Sequence, residues 1–99
     1  MITNKQRAYL RGLANRLPAL YQIGKNGIDE TLLKTVDEAL EAKELIKVHV
    51  LENCGESARD LCDALAEALN AEPVQTIGSK FVLYRESENK KQIDLKSCK

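Results

Sequence analysis

Apolar positions recur along the chain with two periods, and the switches between them lay out the elements. Leu10, Leu13, Ala14 and Leu17 fall at i, i+3, i+4 and i+7, one face of a helix. Thr3 followed three residues later by Gln6 is a capping-box pattern, so this helix should begin just after Thr3. Pro18 should stop it. Leu20 to Ile23 is a short β-compatible run, followed directly by Gly24-Lys25-Asn26-Gly27. Asp29 can cap a second helix that buries Leu32, Leu33, Val36, Ala39 and Leu40 and wets Asp37, Glu38, Glu41 and Glu44. Leu45 to Leu51 then alternates, with Ile46, Val48 and Val50 on one face and Lys47 and His49 on the other.

Asn53 to Glu56 is a loop around Gly55. Ser57 opens a third helix with the stripe Ala58, Leu61, Cys62, Leu65 and Leu69. Val74 to Ile77 and Lys80 to Arg85 flank Gly78-Ser79, the pattern of a tight hairpin. The polar tail from Glu86 onward alternates only at Ile93 and Leu95, as a short strand would.

The expected order is α-β-α-β-α-β-β. Its β-α-β crossover should be right-handed. Closed by the hairpin, it gives an α/β fold with a four-stranded mixed sheet: a two-layer sandwich, or a three-layer one if helices cover both faces. The 99 residues suit one domain, taken as 1–96 with 97–99 as a tail. No apolar run approaches the roughly 18 residues of a membrane span, and the N-terminus lacks a basic-then-apolar signal pattern, so a cytoplasmic protein is expected.

The formal net charge is zero, yet the charges are segregated. Residues 1–28 carry Lys5, Arg7, Arg11, Arg16 and Lys25 with no acid, a charge of +5. Segments 29–44 and 45–76 each carry −4, and 77–99 carries +3. On the helical wheel Arg7 and Arg11 flank one side of the first apolar stripe, and Lys5 and Arg16 the other. If the chain ends meet in space, such a field steers a polyanion while the acidic remainder keeps the protein soluble.

Catalytic chemistry finds little footing. The three cysteines lack CxxC spacing, Cys62 lies in an apolar stripe, and the single histidine, His49, sits in a strand pattern with no motif around it. No Walker loop, metal cluster, nucleophile elbow or acid-base pair is present. What remains is the G-x-x-G stretch. Glycine allows positive φ and close backbone approach, and Lys25 adds a mobile charge at the tip; the same glycines also serve an ordinary strand-to-helix turn. The following helix N-terminus would favour an anion, partly cancelled by Asp29 and Glu30. Tyr84 suits packing in a strand better than stacking on a base.

Four segments taken together resemble a known family. They are Thr3-Asn4-Lys5-Gln6-Arg7 with Leu10-Arg11, Ile23 to Ile28 around the loop, Glu44 to Val48, and Val74 to Gly78 with Val82-Leu83-Tyr84-Arg85. They resemble the CRM domain, named for chloroplast RNA splicing and ribosome maturation, whose stand-alone bacterial members are the YhbY-like proteins. The resemblance runs from Thr3 to about Leu95 and leaves the last four residues, with Cys98, outside the pattern. It implies a fold similar to the C-terminal domain of translation initiation factor three, with a KH-like GxxG loop, and association with precursors of the large ribosomal subunit. It places the family's loop on Gly24, Lys25, Asn26 and Gly27, its basic first helix on Lys5, Arg7 and Arg11, and its hairpin on Lys80 and Arg85.

The expectation is therefore a non-catalytic RNA-binding protein, a monomer needing no cofactor and engaging neither membrane nor DNA. Its RNA would be ribosomal, and its role ribosome assembly. Low aromatic content argues against stacking along a long single strand. The alternative is a protein-interaction module that docks a partner through its basic first helix, with the glycines serving only the turn.

Overall fold

The computed structural model describes residues 2–25 and 27–87. The elements are α1 (Asn4–Ala14), β1 (Tyr21–Ile23), α2 (Glu30–Lys43), β2 (Leu45–Val50), a 3-10 turn (Glu52–Cys54), α3 (Ala58–Leu69), β3 (Glu72–Ile77) and β4 (Lys80–Tyr84). The capping box is present in full: the Gln6 amide donates to Thr3 Oγ1 at 3.0 Å and the Thr3 amide to Gln6 Oε1 at 2.9 Å. Asp29 caps α2 by accepting from the Leu32 amide at 2.7 Å, and Ser57 caps α3 by accepting from the Asp60 amide at 3.1 Å.

Strand order is β1-β2-β4-β3, with β1 parallel to β2 and the other pairs antiparallel. The mixed four-stranded sheet and its element order match the sequence pattern. Period-2 alternation then sends residues to opposite faces. Ile46, Val48, Val50, Phe81, Leu83 and Ile23 pack with Val36, Leu40, Leu61 and Leu65 of α2 and α3. Leu45, Val82, Tyr84 and Val74 pack with Leu10 and Ala14 of α1. Helices thus lie on both faces, the three-layer form of the expected sandwich.

Two details depart from the pattern. α1 ends at Ala14, with Asn15 as its C-cap, rather than at Pro18. Arg16 and Leu17 continue as a tighter turn, their amides donating to Leu13 and Ala14 carbonyls, because a residue before proline is disfavoured in the helical region. The sequence pattern puts Glu44 on the wet face of α2, yet it is fully buried. It caps the helix at φ +65°, and its Oε2 accepts from the Ser87 amide at 2.8 Å. A carboxylate is tolerated there because that amide neutralises part of its desolvation cost.

Residues after β4 fold back onto α2. The Arg85 amide donates to the Glu44 carbonyl, and Ser87 Oγ donates to Glu41 Oε1 at 2.9 Å. Ile93, Leu95 and Cys98 lie outside the described residues.

Candidate functional site

The two-residue hairpin loop, the end of β2 and the glycine loop meet at one end of the sheet. The Leu51 amide donates to the Ile23 carbonyl at 2.9 Å, and the Val50 amide to the Ser79 carbonyl at 2.6 Å. The hairpin turns on Gly78 at φ +56°, with no positive φ at Ser79, the II′ arrangement that matches strand twist. The glycine loop is itself a turn, closed by the Gly27 amide donating to the Gly24 carbonyl at 3.0 Å. Gly27 has φ +62°, which a side chain rarely adopts, and an added Cβ would lie 3.3 Å from Glu56 Oε2. Lys25 projects into solvent. Asn26, also expected in the site, falls outside the described residues.

Beside this turn an open cleft of about 410 Å³ runs between the edge strand β1 and the start of α2. Gln22, Gly24, Lys25, Gly27 and Asp29 are among its walls. The helix N-terminus offers less to an anion than its dipole suggests, because Asp29 already takes the Leu32 amide and Glu30 follows in the first turn. The α2 side of the turn is therefore acidic, with Glu56 adding to it.

The other side is not. Asn15, at the C-terminal end of α1, lines a cavity of about 90 Å³ with Lys47, Gln75, Ile77, Lys80 and Val82. α1 thus points its C-terminus toward the loop end of the sheet. Arg11 lies one helical turn back, whereas Lys5 lies roughly 15 Å back at 1.5 Å per residue. The expected residues accordingly divide: Gly24, Lys25, Gly27 and Lys80 gather at the loop end, while Arg11, Arg7 and Lys5 trail away along α1.

Arg85 does not join them. Its Nη1 donates to Asp37 Oδ1 at 2.7 Å and to the Leu69 carbonyl at 3.0 Å, and its Nη2 to the Asp37 carbonyl at 2.9 Å. The expectation that Arg85 joins Lys80 on a binding surface gives way to a structural role, since this guanidinium fastens the chain after β4 to α2 and α3.

Comparison with known proteins gives the family. The profile of the CRS1 / YhbY (CRM) domain matches residues 2–85. The chain belongs to the CRM domain family. This CRM domain is 47% identical over 95 residues to the probable RNA-binding protein YqeI of Bacillus subtilis, covering 96% of this chain and 99% of that one. It is 39% identical over 90 residues to a Haemophilus influenzae protein named as RNA-binding, covering 91% of each. A Staphylococcus aureus protein solved in solution, a candidate RNA binder by its description, superposes with a TM-score of 0.79 at 49% identity, covering 95% of this chain and 98% of that one. These relatives are named for RNA binding and not for catalysis.

The buried titratable groups of this CRM domain fit the same picture. Burial pushes the Cys62 thiol up to about 11, only partly offset by a hydrogen bond from the Thr76 side chain. A thiol so protonated is a poor nucleophile. Burial, helped by Glu44 and Glu86, raises the Tyr84 phenol to about 12. Tyr84 is 5% exposed and packs under α1, so it does not offer its ring to a base. Sequence alone gives no reason to single out Asn15 and Gln75, and it marks Lys47 and His49 as ordinary solvated strand positions. The alternation does show the last two facing away from the main core, but nothing local indicates that the face stays open.

Proposed function

We propose that this CRM domain is a non-catalytic RNA-binding protein whose target is ribosomal RNA in precursors of the large subunit, where it serves assembly. The observation that carries the reading is the closed Gly24–Gly27 turn, exposed at its Lys25 tip at the same end of the sheet as Lys80. A turn of this shape brings backbone amides close to a sugar-phosphate chain, as GxxG loops do in KH domains. Lys25, Lys80 and Arg11 would neutralise phosphates nearest the turn, with Arg7 and Lys5 further along α1. The relatives named as RNA-binding support the ligand class; the ribosomal target rests on the family resemblance.

Contacts of this kind position RNA without reading its sequence, so selectivity must come from RNA shape or from the ribosomal setting. Crosslinking in cells followed by sequencing of the bound RNA tests target and binding together. Enrichment of large-subunit ribosomal RNA and its precursors is expected. Recovery of RNA without that enrichment would remove the assembly role, and nuclease-resistant capture of a protein partner in its place would favour docking through α1.

A further inference from the structure

α1 covers only half of its face of the sheet. It packs on Leu45, Val74, Val82 and Tyr84 and stops at Ala14, short of the loop end. Strand register aligns a row of positions there, Gln22 opposite His49, His49 opposite Lys80, and Lys80 opposite Ile77; Gln22, Lys80 and Ile77 are exposed and His49 is half-buried. Lys47 and Gln75, both opposite Val82, form the next row. The single acid on this face of the described strands is Glu72, paired with Tyr84 at the covered end. Ile77 is 60% exposed, unusual for its size.

We infer that this open half of the sheet is a second RNA subsite, continuous with the glycine loop, that takes the nucleotide next to the one held at the turn. The inference rests on the RNA-binding reading above. Three observations favour RNA as the occupant. Gln22 lines the loop cleft and also begins that row, so the two surfaces adjoin. From β1 to β4 is two strand spacings, roughly 10 Å in all, a short step for an RNA strand. Charge then sets the direction: Asp29, Glu30 and Glu56 border the turn on the α2 side, whereas Lys47 and Lys80 lie across the sheet.

The cavity of about 90 Å³ is too small to enclose a nucleotide, but the groups around its mouth suit one lying across it. Lys47 and Lys80 supply ammonium donors for phosphate. The carboxamides of Asn15 and Gln75 each carry a donor and an acceptor, as a base edge requires. Ile77, exposed at the rim, adds apolar surface for a base face.

The test uses the full chain and fluorescence anisotropy with a labelled fragment of large-subunit ribosomal RNA across a salt series. The Lys47→Ala/Lys80→Ala double variant should flatten the slope of log affinity against log salt by roughly one to two. A charge-matched control, Lys34→Ala/Arg59→Ala on the opposite layer, should leave it unchanged. In a chain otherwise unaltered, a photoreactive phenylalanine analogue at Ile77 should crosslink to the RNA. If the double variant matches the control, or position 77 gives no crosslink, the sheet subsite is overturned; retained sensitivity to Lys25→Ala would then leave the loop reading intact. Salt-independent binding by the unaltered protein would overturn both.

Discussion

Strands β2 and β4 turn Ile46, Val48, Phe81 and Leu83 toward α2 and α3, and Leu45, Lys47, His49, Lys80 and Val82 toward the side of α1. The first face is covered by two helices that carry seven acids between them; the second is partly covered, by a helix with bases and no acid. One sheet thus separates two demands. Stability is concentrated where two helices exclude water, which leaves the opposite side free to hold cations that a closed core would not tolerate.

Deep truncation on the closed face should show this most strongly. Phe81→Ala removes a fully buried ring and is expected to cost about 3–5 kcal/mol in urea unfolding. The RNA affinity of the molecules that remain folded should be unchanged; an equal loss of affinity per folded molecule would mean that the faces are not independent.

Next in size is Arg85→Ala. Losing the ion pair to Asp37 and the bonds to two carbonyls should cost about 1–3 kcal/mol of stability, again without changing the salt dependence of RNA binding. A flatter salt slope with unchanged stability would return Arg85 to the interface.

How far these assignments are legible in the sequence depends on range. The Thr3/Gln6 box, the Asp29 and Ser57 caps and the alternation of β2 are local, and each appears in the structure. Arg85 reads as a free base in the sequence because its partner, Asp37, lies 48 residues away. Glu44 reads as a solvated position because helical periodicity describes the body of a helix and not its cap, where the backbone turns inward. The small cavity has no local signature either, since α1, β2, β3 and β4 each contribute to it. Its residue types are ordinary; the early end of α1 leaves Ile77 and Lys80 exposed and Lys47 and Gln75 half-buried.

A smaller effect concerns pH. Cys62 and Tyr84 hold their protons more firmly when folded, at about 11 and about 12 against ordinary values of 9.0 and 10.0. Their contribution to stability is therefore complete below about pH 9 and is lost as pH rises through the folded values, at most about 3 kcal/mol for each group. Urea unfolding followed from about pH 8 to about pH 12 should show this decline. Tyr84→Phe should remove its upper part, and a decline unaffected by that change would assign it elsewhere.

The most direct measurement sets Lys25 against Lys34. Both are exposed lysines, one at the glycine turn and one on α2. With large-subunit ribosomal RNA fragments, contact with about five phosphates predicts a slope of log affinity against log salt near −3 to −5 for the unaltered protein. Lys25→Ala should flatten that slope by about one and Lys34→Ala should leave it where it was. Equal effects from the two substitutions would contradict a binding surface confined to the loop and the α1 side of the sheet.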